Sequence, residues 1–391
     1  MKFTVADRLG EIDEYYFSKK LDEVRKLKAQ GIDVINLGIG SPDLAPSKNT
    51  MDAAIKAIQN EKNHGYAPYR SSPELRKALS SWYQKLYDVR LDSESEILPL
   101  LGSKEGILYA SLAFVNPGEK ILIPDPGYPA YTSVTRLIGA QVETYDLLSE
   151  NDWLPDFRQL EKKDLKNCKM MWVNYPHMPT GRRADKKTFL DLIDFASSRN
   201  ILLCHDNPYS LVLNQEKPLS ILQFDPKMET CIEFNSFSKA FNMAGWRVGM
   251  AAGHQKVINA ILQVKSNVDS GMFAGIQAGA IAALDNSETW HKERNEIYQE
   301  RRQIVFQIFD TLNFKYDPKQ VGLFVWAKAP DSVSDLGVFV DQLLYEAKVF
   351  LVPGFIFGSN GKRFARSSLC ATAENLKEAL SRVKAWKGAK R

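Results

Sequence analysis

A lysine, two serines and an arginine lie close together in one segment whose composition suits covalent chemistry on a phosphorylated aldehyde. An apolar, β-prone run ends at Ser236 and Ser238, Lys239 follows directly, and Arg247 comes eight residues later in a glycine-containing turn. Hydroxyl and guanidinium groups bind phosphate, and apolar flanks lower the pKa of a lysine amine. The segment therefore predicts a Schiff-base lysine beside a phosphate site, against the plainer alternative of a solvated charge at a strand end.

Residues with chemical potential also end the neighbouring strand-like runs, which helical stretches separate at the spacing of an α/β protein. The residues at these ends are Tyr128, the segment 174–181, and Asp206 with Tyr209. Because ligands bind at the carboxyl ends of strands in open parallel sheets, we expect these groups to meet Lys239 in one site. Taken singly, an aspartate or a tyrosine at a strand end is more often a capping or packing residue.

Two earlier turns could bring backbone close to the same ligand. Ser103 and Lys104 follow a strand-like run and open an amphipathic helix, so their backbone N–H groups suit an anion. Farther upstream, a short strand runs into two glycines that flank Ile39. That glycine pattern does not match the G-x-G-x-x-G fingerprint, so a dinucleotide-binding fold is not predicted.

Composition predicts a protein with a large core divided into two or three lobes. The chain has 391 residues, of which 44% are hydrophobic, and interspersed charges sum to +4, without the basic footprint of a nucleic-acid-binding protein. Four widely separated cysteines favour reduced, buried thiols over disulfides or a metal site. A charged N-terminus and the lack of a membrane-length apolar run predict a cytoplasmic protein.

Together these residues resemble the fold-type I pyridoxal-5′-phosphate aminotransferases, the class I/II family of aspartate aminotransferase. The resemblance runs from about Asp33 to Ala373 and rests on the motifs NSFSKAFNMAGWRVG, DNPY, GSKEG and DPGYP. The segments LGIGSPD, GSKEGI and KSNVDSG look closest to the branch with LL-diaminopimelate aminotransferases and their aspartate- and alanine-using relatives.

The resemblance implies a role for each residue around the cofactor. Lys239 would hold pyridoxal phosphate as a Schiff base and then carry a proton between Cα and the C4′ carbon. Asp206 would pair with the protonated pyridine nitrogen, Tyr209 would hydrogen-bond the phenolate oxygen, and Tyr128 would stack on the ring. The residues that would bind the phosphate are Ser103, Lys104, Ser236, Ser238 and Arg247.

The remaining implied contacts concern the substrate and a second subunit. Arg366 would clamp the α-carboxylate, and Ile39 would lie near the substrate. Tyr66 would reach the phosphate of the neighbouring subunit, which makes a homodimer part of the site.

One position departs from the family pattern. Relatives usually carry Asn-Pro-Thr-Gly at the second strand end, where the asparagine donates a hydrogen bond to the phenolate oxygen, but here Met178 takes its place. Methionine cannot donate, so we expect the Schiff base of Lys239 to have a raised pKa. His177 is the alternative donor, although a histidine beside a turn proline is expected to be exposed.

The resemblance implies an aminotransferase that moves an amino group from an L-amino acid to a 2-oxo acid by a ping-pong cycle. A C–S β-lyase of the same fold would use nearly the same cofactor residues and is the alternative. A transcription regulator would need an N-terminal DNA-binding domain, and fewer than 40 residues precede LGIGSPD. A degenerate scaffold conflicts with the intact motif residues.

The implied architecture has two parts. A large domain at 47–282 should contain a mostly parallel seven-stranded sheet covered by helices. A change to an α+β pattern near residue 280 predicts a small domain that combines 1–46 with 283–391.

Overall fold

Helices and strands alternate along residues 3–10 and 16–389, which the computed structural model describes. The strands are β1 (Ile35–Asn36), β2 (Ile97–Leu100), β3 (Lys120–Asp125), β4 (Gln141–Asp146), β5 (Cys168–Asn174), β6 (Leu202–Asp206), β7 (Cys231–Ser236), β8 (Gly249–Gly253), β9 (Lys315–Tyr316), β10 (Phe324–Lys328), β11 (Val349–Phe350), β12 (Val352–Pro353) and β13 (Phe364–Ser368). The helices are α1 (Tyr16–Ala29), α2 (Lys48–Ile58), α3 (Pro73–Tyr87), α4 (Ser103–Phe114), α5 (Pro129–Leu137), α6 (Phe157–Leu160), α7 (Lys186–Ser197), α8 (Phe237–Ala240), α9 (Gln255–Lys265), α10 (Ala274–Leu284), α11 (Glu288–Thr311), α12 (Leu336–Ala347) and α13 (Ala373–Ala389).

A seven-stranded sheet forms the centre of the fold, in the order β2-β8-β7-β6-β5-β3-β4. All neighbouring strands run parallel except β8, which is antiparallel to both β2 and β7. The α/β fold class and the mostly parallel seven-stranded sheet predicted from the sequence are confirmed.

Helices cover both faces of this sheet, which explains why its inner strands are mostly apolar. On β5, Met170 and Trp172 point into one hydrophobic cluster while Met171 and Val173 point into another. Successive side chains of a strand face opposite sides, so a strand covered on both sides needs a continuous apolar run. Most of the polar residues that face the site therefore lie at the strand ends, whereas His205 and Glu233 form a buried pair within β6 and β7.

A second, four-stranded antiparallel sheet has the order β12-β13-β10-β9 and packs with α11, α12 and α13 around a core of its own. The short strand β1 pairs in parallel with β11. The predicted boundaries after residues 46 and 282 stay predictions. Residues 1, 2, 11–15, 390 and 391 of the predicted small domain lie outside the described residues.

The four cysteines are buried free thiols, as predicted. Within the described ranges, no helix combines the length and apolar character needed to cross a membrane. The same ranges contain no cluster of three or more histidine, cysteine, aspartate or glutamate side chains arranged to hold a metal ion.

Candidate active site

The carboxyl ends of three adjacent parallel strands form the floor of one cavity. Asn174 at the end of β5 is the register partner of Asp206 at the end of β6, and β7 ends beside them at Ser236. Tyr128 follows the end of β3, on the other side of β5. The cavity has a volume of about 400 Å³, which is in the range of small-molecule sites.

Ten of the twelve residues predicted for the site line this cavity. They are Ser103, Lys104, Tyr128, Asp206, Tyr209, Ser236, Ser238, Lys239, Arg247 and Arg366. Ile39 is half exposed beside Gly40, which does line the cavity. Tyr66 is 94% exposed and does not line it.

Lys239 lies in the short helix α8, which starts directly at the end of β7 and has Ser236 as its N-cap. Its Nζ donates a hydrogen bond to the carbonyl oxygen of Gly40. Burial lowers the pKa of Lys239, and the nearby cations Arg366 and Arg247 add to this effect. A buried amine with a lowered pKa is a competent nucleophile for a carbonyl carbon.

The N-terminus of α4 and Arg247 form an anion cradle on one side of the cavity. Gly102 is the N-cap of α4 and offers no capping side chain, so the first N–H groups of the helix are available to a ligand. A Cβ atom at Gly102 would lie 2.2 Å from Nη2 of Arg247, and the φ of Gly102 is +95°. Only glycine therefore lets the guanidinium approach the helix end this closely. Ser238 Oγ lies 3.5 Å from Nη1 of Arg247.

Asp206 offers a carboxylate oxygen to the cavity. It is 5% exposed, and its Oδ2 accepts a hydrogen bond of 2.9 Å from the hydroxyl of Tyr131. Its buried Oδ1 has no hydrogen-bond partner among the described residues. Burial raises the pKa of Asp206 to about 6, while Tyr131 and His205 oppose the rise. An orphaned buried oxygen of this kind fits a cationic N–H group on a bound ligand.

Tyr209 also lines the cavity and carries a hydroxyl group that can donate a hydrogen bond. Burial raises the pKa of its hydroxyl well above the usual value, so the group stays protonated. A protonated phenol can donate to an anionic oxygen of a ligand.

Arg366 is held between aromatic rings where the two sheets approach each other. Its guanidinium carbon lies 4.0 Å from the ring centre of Phe324 and 4.7 Å from that of Phe357. Nη2 donates to the carbonyl oxygen of Gly38 at 2.8 Å, and Nη1 lies 3.4 Å from the sulfur of Met178. A planar guanidinium in this position can bind a carboxylate with two parallel hydrogen bonds.

The structure corrects one expectation about the turn after β5. His177 was expected to be exposed, but it is 2% exposed and its Nδ1 is 2.9 Å from Oγ1 of Thr180. Burial lowers the pKa of His177 to about 3, and the side chain is not part of the cavity lining. It is therefore not placed to replace the missing asparagine donor. Met178 does line the cavity.

Two residues of the site were not predicted, Tyr131 and Phe324. Tyr131 lies three residues after Tyr128, the N-cap of α5, and this spacing, which puts both near one face of the helix, could have suggested it. Asn174 belongs to the predicted strand-end segment 174–181, and it donates to the carbonyl oxygen of Asp206 at 2.6 Å. Phe324 comes from β10 of the second sheet, and no local motif marks it.

Comparisons with known proteins agree over nearly the whole chain. The family described as aminotransferase class I and II matches residues 32–383. The LL-diaminopimelate aminotransferase of Maridesulfovibrio salexigens is 39% identical over 98% of this chain and 99% of its own, and that of Aquifex aeolicus is 38% identical over the same shares. Among solved structures, apo BacF from Bacillus subtilis is 35% identical with a TM-score of 0.92, and 98% of each chain is covered.

Proposed function

The chain belongs to the class I and II aminotransferase family and is a pyridoxal-phosphate-dependent aminotransferase, and on this premise we propose LL-diaminopimelate as its amino donor and a 2-oxo acid as acceptor. The donor is supported by full-length relatives that carry this name at 36–39% identity. The C–S lyase alternative receives no support from these relatives. The observation that carries the proposal is one cavity that unites Lys239, Asp206 and Arg366.

The lining of the cavity fits pyridoxal 5′-phosphate. When bound, this group supplies an electrophilic aldehyde carbon and a ring that withdraws electrons. We infer that Arg247, Ser236, Ser238 and the α4 N-terminus bind the phosphate, and that Oδ1 of Asp206 accepts the pyridinium N–H. Tyr209 would donate to the phenolate oxygen and Tyr128 would cover the ring face. The support is the cradle at Gly102 and the orphaned oxygen of Asp206.

The substrate would be positioned by Arg366 and deprotonated by Lys239. Arg366 would bind the α-carboxylate and thereby fix the Cα–H bond toward the buried Nζ of Lys239. That nitrogen has its pKa lowered by burial, so it would take the proton from Cα and deliver it to the C4′ carbon of the cofactor. Ile39, beside Gly40, would lie near the substrate.

A half-reaction screen tests the donor. Each L-amino acid, LL-diaminopimelate included, is added singly to the purified holoenzyme, and the absorbance of the bound cofactor is followed. We expect LL-diaminopimelate to convert the aldehyde form to the amine form, and a 2-oxo acid to restore it. The DD stereoisomer is the matched control, because its reversed Cα would point the proton away from Lys239.

Other outcomes separate the alternatives. Conversion by aspartate or alanine without conversion by LL-diaminopimelate would reject the proposed donor and leave the aminotransferase assignment intact. Accumulation of pyruvate and ammonia from cysteine conjugates, with the absorbance unchanged, would instead favour the lyase.

We also propose that the protein is a homodimer in which Tyr66 contacts the cofactor phosphate of the neighbouring subunit. Tyr66 is 94% exposed, and Ile58 and Phe273 are exposed apolar side chains next to the same segment. The ring centres of His64 and Phe273 are 5.8 Å apart, and His64 lies two residues before Tyr66, which places these side chains near one another on the surface. Exposed apolar surface of this kind commonly marks a protein interface.

Mixing two inactive variants tests this arrangement. Lys239→Ala and Tyr66→Ala remove residues that would serve the same site from different subunits. Refolding the two together yields hybrid dimers with one intact site, so we expect about a quarter of wild-type activity to return in an equimolar mixture. Activity no higher than the sum of the two separate variants would reject a site shared in this way.

We further propose that 47–282 form a large domain, that 1–46 and 283–391 form a small one, and that the protein is cytoplasmic. The seven-stranded sheet lies within 97–253 and the four-stranded sheet within 315–368, which supports the division. Four buried free thiols suit a reducing compartment.

Met178→Asn is expected to lower the pKa at which the absorbance of the cofactor bound at Lys239 changes. An amide at this position can donate to the phenolate oxygen, which is worth roughly 1.5–3 kcal/mol, equivalent to a change of about tenfold or more in the acid dissociation constant. A spectrophotometric titration measures the effect. Met178→Leu keeps the volume without a donor and should titrate like the wild type. Identical curves for the asparagine variant and the wild type would contradict the prediction.

A further inference from the structure

The carboxylate of Asp125, at the end of β3, binds a turn from the far end of the chain. Its Oδ2 accepts hydrogen bonds from the backbone N–H of Ser359 at 2.9 Å and from the hydroxyl of the same residue at 2.7 Å. Its Oδ1 accepts from the backbone N–H of Asn360 at 3.0 Å. Asp125 is 7% exposed. We call Asp125 together with residues 358–360 the Asp125 clasp.

Backbone contacts on both sides reinforce the clasp. Gly127 donates to the carbonyl oxygen of Phe357 at 2.8 Å. The side-chain amide of Asn360 donates to the carbonyl oxygen of Asp125 at 3.1 Å. Gly358 has a φ of +140°, and a Cβ atom there would lie 2.0 Å from Oδ1 of Asp125. The turn is therefore built so that the carboxylate can approach its N–H groups.

The clasp holds Phe357 against Arg366. Phe357 immediately precedes the clasped turn and is itself bonded to Gly127 through its carbonyl oxygen. Its ring centre lies 4.7 Å from the guanidinium carbon of Arg366, on which Phe324 also packs. The ring also meets that of Trp326 edge-on, with centres 5.8 Å apart. The orientation of the Arg366 guanidinium therefore depends on where the 354–361 segment is fixed.

We propose that Asp125 is a positioning residue for the substrate carboxylate, acting through Phe357 on Arg366. The inference rests on the proposed role of Arg366 as the carboxylate clamp. Charge-assisted hydrogen bonds to backbone N–H groups are stronger than neutral ones, so an ionised Asp125 holds the turn firmly. An amide in its place has one acceptor oxygen and sets its NH₂ group against donors. The turn would then loosen, Phe357 would shift, and Arg366 would be less well aligned for binding.

The test compares Asp125→Asn with wild type as holoenzymes, in steady-state turnover with whichever donor the wild type accepts and a saturating 2-oxo acid. We expect KM for the donor to rise about tenfold while kcat changes less than about threefold. The dissociation constant of the cofactor should stay unchanged. A purely structural role would lower kcat or cofactor affinity as well as raise KM.

Asp146→Asn is the matched control. Asp146 ends the adjacent strand β4 as the register partner of Asp125 and accepts one exposed hydrogen bond from Asn360 at 2.7 Å. Its replacement should change KM less than about twofold, because one exposed bond contributes little.

Two further variants keep the proposal testable if Asp125→Asn does not fold. Ser359→Ala removes only the hydroxyl bond and should raise KM about threefold. Phe357→Leu should also raise KM. Ser359→Ala and Phe357→Leu both act through the contact between Phe357 and Arg366, so the KM increases should not multiply in the Ser359→Ala/Phe357→Leu double variant. A lowered cofactor affinity, an unchanged KM or fully multiplicative effects would overturn the proposal. A wild type that rejects LL-diaminopimelate would affect only the choice of donor.

Discussion

Replacing Lys239 with alanine is expected to lower turnover by at least about 10⁴-fold. The side chain would serve as both the covalent attachment point and the group that moves the Cα proton, and proton transfer alone typically contributes 10²–10⁴-fold. Burial depresses its pKa, and Gly40 O fixes the Nζ atom in the cavity. The measurement is the single-turnover rate of the half-reaction.

Two variants separate the amine of Lys239 from its charge. Lys239→Arg keeps a cation, but a guanidinium stays protonated and can neither attack a carbonyl carbon nor accept a proton. It should therefore be as inactive as Lys239→Ala. A small primary amine added to the alanine variant can take over the proton transfer and should restore part of the rate. An alanine variant that retained more than about one per cent of wild-type turnover would contradict the role of Lys239.

The part of the site that lies at strand ends could be predicted from the sequence. Asp206 and Lys239 each follow a mainly apolar run, and the parallel order β7-β6-β5-β3 brings the ends of such strands together, independently of the loop conformations. Ser103 and Lys104 could be placed because a strand-turn-helix unit has few geometries. In each case a local sequence pattern identifies the strand, and the parallel sheet then places the residues that follow it at one edge.

Contacts between distant parts of the chain could not be predicted. Phe324 reaches Arg366 from β10 and Phe357 reaches it from the turn after β12, and no spacing rule relates the two residues. Asp125 stands in the DPGYP motif, which gives no sign of its hydrogen bonds to Ser359 and Asn360, more than 230 residues away. Side-chain packing between helices and strands determines such contacts, and this packing leaves no periodic pattern of residue types in the sequence.

The error at His177 has the same origin. The turn proline suggested exposure, but the segment after β5 is folded inward, with Asn174 bonded to the backbone N–H of Met178 at 2.8 Å. Local turn chemistry says where the chain bends. It does not say whether the bend faces solvent.

Asp206→Asn is expected to slow the half-reaction by roughly 10²–10³-fold, because the amide carries no charge to hold a pyridinium N–H.

The same change, Asp206→Asn, should stabilise the apoprotein. Burial raises the pKa of Asp206 from 3.8 to about 6, so keeping it ionised in the folded chain above that pH costs about 3 kcal/mol. Asparagine keeps the hydrogen bond from Tyr131 and removes that cost.

The stability difference between the Asp206→Asn and wild-type apoproteins should increase with pH. The folded state binds the Asp206 proton more tightly than the unfolded state, so the destabilisation is nearly absent below about pH 4, grows as the pH rises from 3.8 to about 6, and is complete above the raised pKa. Urea unfolding of both apoproteins should therefore give equal free energies near pH 4, and a variant more stable by about 3 kcal/mol at pH 8. A constant difference across this range would show that Asp206 does not titrate as its burial implies.

Tyr131→Phe separates the charge of Asp206 from its packing. The phenylalanine ring can still stack on Trp172, as Tyr131 does at a centre distance of 5.1 Å, but the hydrogen bond to Asp206 is lost. Because that bond lowers the pKa of Asp206, its removal should raise this pKa further and destabilise the apoprotein at pH 8 by about 1 kcal/mol. Saturating cofactor should reduce the advantage of Asp206→Asn, since an ionised Asp206 then has a cationic partner. The buried charge of Asp206 would then both destabilise the apoprotein and strengthen the binding of the cofactor.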